Sequence, residues 1–242
     1  MRRWRKLGPM WCLWPNRPDG LVEIVGGSYL ATTPHISYKN LLENLYEKNF
    51  AIHAWAYIPK LDHQKQSNQA WKDFRMARDL LQSRLSSNIK NIRVGHSLGC
   101  KINLLSPDGG RSINKLISIS FNNYPINKSI PMISKITSKL QLAKEYHPSP
   151  QETIKIIKRD FMVNDNVLIK YENDMIDETE RLEQILNEKD GRQIKRIDMK
   201  GGHLTPVGAG VRKKLFGESL KIRGDDKSIM LLTETIAREL SI

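Results

Sequence analysis

The chain has 242 residues, 39% of them hydrophobic, which suits one compact domain over residues 1–242 and excludes a disordered tail. Its 39 Lys and Arg against 26 Asp and Glu give a formal net charge of +13, yet the positive residues are spread along the chain beside abundant Asn and Ile. That pattern argues for compositional drift over a nucleic-acid-binding patch.

Two cysteines, Cys12 and Cys100, match neither a metal ladder nor a disulfide framework, so a reducing, cytoplasmic setting is expected and no metal or cofactor is read from the sequence. The basic opening Met1-Arg2-Arg3-Trp4-Arg5-Lys6 resembles the start of a targeting signal, but Leu7 is followed at once by Gly8 and Pro9, then Pro15 and Pro18. These interrupt the apolar run such a signal needs. Trp4, Trp11 and Trp14 would either touch a membrane surface weakly or cover an edge of the core, and the second is favoured.

Further along, apolar strand-like runs alternate with helical stretches, the pattern of a mostly parallel sheet with helices on its faces. Leu21–Val25 reads as a strand ending in Gly26-Gly27-Ser28, followed by a helix carrying Leu41, Leu42, Leu45 and Tyr46. Phe50–Tyr57 is the next strand. Ala70–Leu85 is a helix with Trp71, Phe74, Ala77, Leu80, Leu81 and Leu85 on one face. Ile92–Val94 leads into Gly95-His96-Ser97-Leu98-Gly99, after which a helix runs to Pro107. Leu116–Phe121, Val167–Tyr171 and Ile194–Met199 complete the strands, with a helix around Leu182–Leu186 and a last one from about Lys227 to Leu240. Residues 122–165 are less regular and rich in proline, and read either as a small cap insertion or as connecting helices.

Gly-x-Ser-x-Gly alone is weak, but here it follows a strand and opens a helix, as a nucleophile elbow requires. Ser97 would be lifted from the sheet on a strained turn, where a Cβ at Gly95 or Gly99 would collide with the neighbouring helix or strand. The N–H of Leu98, at a helix N-terminus, is the expected first oxyanion donor; the second would come from Gly27 or Ser28 in the glycine turn. Of six histidines, His203 in Gly201-Gly202-His203 follows the last strand and is the candidate base. His96 lies inside the elbow with its side chain expected to point away from that of Ser97. The orienting carboxylate would be Asp174, with Asp177 as rival and Glu172 a distant third. The order Ser97, Asp174, His203 is that of α/β-hydrolases.

At these residues the chain resembles the DUF1350 family, α/β-hydrolase-like proteins of cyanobacteria and plastid-bearing organisms. The resemblance runs from about Trp11 to Pro206. It rests on Val25-Gly26-Gly27-Ser28-Tyr29, Pro34-His35-Ile36-Ser37-Tyr38, Leu61-Asp62-His63 and the elbow. It continues through Ile119-Ser120-Phe121-Asn122-Asn123, Pro148 to Thr153, Asn173-Asp174-Met175-Ile176-Asp177 and Gly202 to Pro206. The resemblance implies the fold and the triad and no substrate. The expectation is a serine hydrolase or acyltransferase acting on a small acyl ester, a thioester or a lipid. The alternative is a hydrolase-like fold used as a binding or assembly factor.

Overall fold

In the computed structural model, residues 3–86, 88–125, 145–208 and 225–240 are described. Eight strands form one sheet in the order β1-β2-β4-β3-β5-β6-β7-β8. Their ranges are β1 Arg5–Leu7, β2 Met10–Leu13, β3 Gly20–Val25, β4 Phe50–Trp55, β5 Asn91–His96, β6 Lys115–Ile119, β7 Asp165–Tyr171 and β8 Gln193–Met199. From β4 to β8 all neighbours are parallel, while β2 runs antiparallel to β4 and β1 antiparallel to β2.

The helices are α1 Pro34–Ser37, α2 Lys39–Glu47, α3 His63–Gln82, α4 Leu98–Leu104, α5 Pro150–Asp160, α6 Thr179–Asn187 and α7 Asp225–Leu240. Strand residues alternate between two helical layers because successive Cβ atoms leave opposite faces. Val22, Ile24, Ile52, Val94, Ile117 and Ile169 pack with Leu41, Leu42 and Leu45 of α2 and with Leu232 and Ile236 of α7. On the other face Trp55 meets Phe74 of α3, and Leu116 and Leu168 meet Leu104, Ile157 and Leu182. The four central strands β3–β6 are buried along their whole length, as a sheet covered on both sides requires.

Three regions add to what the sequence shows. The N-terminal segment pairs as a hairpin, Leu7 opposite Met10, turning at Gly8 with φ 56°. Its strands, of three and four residues, are too short to show a period. Trp11 stacks on His35 with ring centroids 3.6 Å apart, and Trp14 Nε1 donates to His53 Nε2 at 2.9 Å, so these indoles cover the edge of the core. The helix read from Ala70 begins at His63, capped by Asp62, whose carboxylate accepts the Lys65 N–H at 2.9 Å. Its first two turns bury His63, Gln66 and Ser67, polar residues invisible to an apolar period. Finally, α5 packs Ile157 and Thr153 into the interior, on the connection from β6 to β7. The part of the candidate cap from 126 to 144 lies outside the described residues.

Candidate active site

The carboxyl ends of β3, β5, β6, β7 and β8 converge on Ser97. This residue joins β5 directly to α4 with φ 56° and ψ −122° and is 8% exposed. Such a backbone is costly for a residue with a Cβ and persists only when its surroundings enforce it. The enforcing contacts are close. A Cβ on Gly95 would stand 2.7 Å from the Cys100 backbone, and one on Gly99 1.9 Å from the Val25 carbonyl oxygen. The Ser97 N–H donates to the Ile119 carbonyl at 3.0 Å, which ties the elbow to β6.

His203 stands on the loop after β8 with its ring between Ser97 and Asp174. Nε2 lies 3.0 Å from Ser97 Oγ and Nδ1 2.8 Å from Asp174 Oδ2. A carboxylate only accepts, so Nδ1 carries the proton and Nε2 is left to accept from the serine hydroxyl. The Asp174 side chain is fully buried while that of His203 is 20% exposed. Burial alone would raise the Asp174 pKa, but the hydrogen bond and charge of His203, with the Ile176 N–H, outweigh it and hold the carboxyl below its ordinary range. The loop owes its shape to Gly201, at φ 140°, and to Thr205 Oγ1, which accepts the Gly202 N–H at 2.9 Å.

The rival acids are engaged elsewhere. Asp177 accepts from the Thr179 N–H at 2.8 Å and from its hydroxyl at 2.9 Å, at the start of α6. Burial, with the nearby Asp174 charge, raises its pKa despite those bonds. Glu172 is exposed on the surface. The glycine turn needs a correction. The Gly27 N–H donates to Tyr38 Oη at 2.8 Å, so it has no proton to offer a substrate oxygen. A Cβ on Gly27 would lie 3.1 Å from Ser97 Cβ, which keeps the turn, and Ser28 with it, against Ser97.

One neighbour escaped the sequence reading. Asn122 Nδ2 donates to Ser97 Oγ at 3.0 Å. It lies three residues past β6, the strand beside β5, within the stretch Ile119 to Asn123 that carries part of the family resemblance. The serine oxygen thus accepts from Asn122 and donates to His203, leaving one lone pair free. Among the described residues no group of three or more His, Cys, Asp or Glu is disposed to hold a metal ion, and no helix is long and apolar enough to cross a membrane.

With this geometry in view, the likenesses to known proteins concern the fold. The chain is similar to TT1662 from Thermus thermophilus, with a TM-score of 0.59 and 16% identity over 100% of this chain and 99% of that one. It is similar to the esterase Pf2001 of Pyrococcus furiosus, with a TM-score of 0.62 and 12% identity over 95% of this chain and 85% of that one. Est1E from Butyrivibrio proteoclasticus aligns with a TM-score of 0.57 and 13% identity over 99% and 97%. The fold is the α/β-hydrolase fold. No curated protein matches the chain by sequence. A family model described as "Protein of unknown function (DUF1350)" matches residues 3–221, and the chain belongs to that family.

Proposed function

We propose that the protein is a serine hydrolase that cleaves an ester or thioester through Ser97, His203 and Asp174. The observation that carries this reading is the placement of one imidazole between a strained elbow serine and a buried carboxylate, at 3.0 Å and 2.8 Å. Ser97 Oγ attacks the acyl carbon as its proton passes to His203 Nε2, and His203 returns that proton to the departing alcohol or thiol. Water then attacks the acyl-enzyme with His203 again as base, and Oγ leaves as the serine hydroxyl. Asp174 holds the imidazole in the required tautomer and balances its transient charge.

The oxyanion is held by the N–H of Leu98, the first residue of α4, whose amide has no acceptor within its own helix. Ser28 supplies the second N–H in place of Gly27. Asn122 orients the Ser97 oxygen so that its free lone pair faces the substrate. Neighbours named as esterases, together with a thioesterase domain from the curacin biosynthetic pathway at a TM-score of 0.54 and 11% identity, support an acyl substrate of small-molecule type. Esters and acyl transfer to an acceptor other than water use the same groups.

The test is labelling with a fluorophosphonate, read by peptide mass spectrometry. The expected result is an adduct on Ser97 that is absent from Ser97→Ala and from His203→Ala. No adduct on folded wild-type protein would falsify the hydrolase reading and favour a binding role for the fold.

A further inference from the structure

We infer that Tyr38 and His96 are positioning residues, joined in a buried hydrogen-bond relay that locks the oxyanion loop to the loop carrying His203. The inference rests on the hydrolase reading of Ser97, and it concerns two residues that the chemistry of the triad leaves unused. Three segments far apart in sequence must meet to within a fraction of an ångström. They are the turn after β3, the elbow after β5 and the loop after β8.

The relay connects all three. Gly27 N–H donates to Tyr38 Oη at 2.8 Å, Tyr38 Oη lies 2.8 Å from His96 Nδ1, and His96 Nε2 lies 2.8 Å from the carbonyl oxygen of His203. The proton positions follow from the partners. A carbonyl only accepts, so Nε2 bears the ring proton. Nδ1 of the neutral ring then accepts, and the Tyr38 hydroxyl donates to it while accepting from Gly27. Each donor has one acceptor, and the direction runs from Gly27 to His203 without a break. Tyr38 is 0% and His96 1% exposed, so no water competes for these groups. Burial, reinforced by His203, holds His96 neutral with its pKa at about 3.

Two further contacts show that the arrangement is built around the tyrosine. A Cβ at Gly26 would stand 2.6 Å from Tyr38 Cε2, so the ring occupies the space the glycine leaves open. The Gly208 N–H donates to the Ser37 carbonyl at 3.0 Å, so the residue before Tyr38 holds the far end of the His203 loop. The relay therefore sets the tilt of the Gly27–Ser28 turn against Ser97 and the height of the His203 backbone. Both matter more to the tetrahedral state than to the bound ester, since reacting groups displaced by about 1 Å lose on the order of 100-fold in rate.

The test uses Tyr38→Phe, which keeps the ring and removes one hydroxyl, and His96→Gln as a second variant should the first fail to fold. Amide exchange is followed by NMR at Gly27 and across residues 201–206. Hydrolysis of p-nitrophenyl esters and inhibition by an alkyl trifluoromethyl ketone, which forms a charged tetrahedral adduct, are measured on the same samples. The expected result is faster exchange at both loops and kcat lower by about 10- to 100-fold with KM within about twofold. The ketone should weaken by the same factor as kcat/KM. Unchanged exchange at Gly27 and 201–206, or unchanged kcat in a folded variant, overturns the relay. If wild-type protein turns over no ester and Ser97 takes no fluorophosphonate, the hydrolase reading fails, and the exchange measurement still decides the relay.

Discussion

At the scale of single residues, two carboxylates three positions apart have opposite environments. Asp174 is completed by the imidazole of His203, whereas Asp177 spends both oxygens on Thr179. Asp174→Asn is expected to lower kcat by about 10⁴-fold, because the amide can present an N–H to Nδ1 and favour the wrong tautomer. Asp177→Asn should leave kcat within about twofold, since an amide oxygen still accepts the Thr179 N–H and the raised pKa marks a carboxylate held at a cost. Steady-state kinetics on the two folded variants decide it, and equal losses would sink the assignment. Asn122→Ala removes one donor to Ser97 Oγ. A hydrogen bond of about 1 kcal/mol corresponds to a fluorophosphonate labelling rate lower by roughly 5-fold. An unaltered labelling rate would show that the Ser97 rotamer does not depend on it.

At the scale of elements, the elbow and the strands beneath it are held by contacts that admit little substitution. A Cβ at Gly99 meets backbone of β3 rather than a movable side chain, so no rotamer relieves it. Gly99→Ala is expected to cost at least the ~1–3 kcal/mol typical of an overpacked core, seen as a lower urea midpoint. With three strands between β3 and the nearer edge of the sheet, Glu23 of β3 lies opposite Arg93 of β5 in register, with oxygen–nitrogen distances of 2.8 Å to Arg93 and 3.0 Å to Arg78 of α3. Glu23 is 0% and Arg93 2% exposed. Removing one partner strands a buried charge, so Glu23→Ala should destabilise by about 3–5 kcal/mol. Glu23→Met with Arg93→Met should recover most of that loss, because the pair's attraction does little more than offset its desolvation and Arg78, 17% exposed, can turn its charge to solvent. A double variant as unstable as Glu23→Ala would refute this balance.

Across the whole molecule, buried histidines set the response to acid. Burial pushes His53, His63 and His96 down to pKa values of about 3, with Arg78 adding to the effect at His53 and Lys101 at His63. The unfolded chain protonates these rings near the ordinary 6.5 and the folded chain does not, so the unfolded state binds more protons between about pH 6.5 and 3. Stability must therefore fall as pH falls through that window, by about 1.4 kcal/mol per pH unit for each fully uncharged ring. Urea unfolding at pH 7, 6 and 5 should show a midpoint that drops at each step. A constant midpoint would mean the three rings are protonated in the folded state, contrary to Trp14 donating to His53 Nε2.

What the sequence determined by itself was the alternation of strand and helix, the elbow, and the chain order of Ser97, an acid and His203. These are legible because each has a local cause: period-2 and period-3.6 burial, and glycines that a sharp strand-to-helix turn demands. The N-terminal hairpin and the start of α3 were not legible, since Arg5–Leu7 is too short to carry a period and His63–Ser67 buries polar groups. Which of Asp174 and Asp177 lies against His203, the bond from the Gly27 N–H to Tyr38, and the contacts of Asn122, Tyr38 and His96 are set only by tertiary structure. Each depends on which atom lies within 3 Å across 11 to 107 positions of sequence. Side chains in exposed loops have no period, so only the packed sheet, by bringing five strand ends together, selects which of them meet.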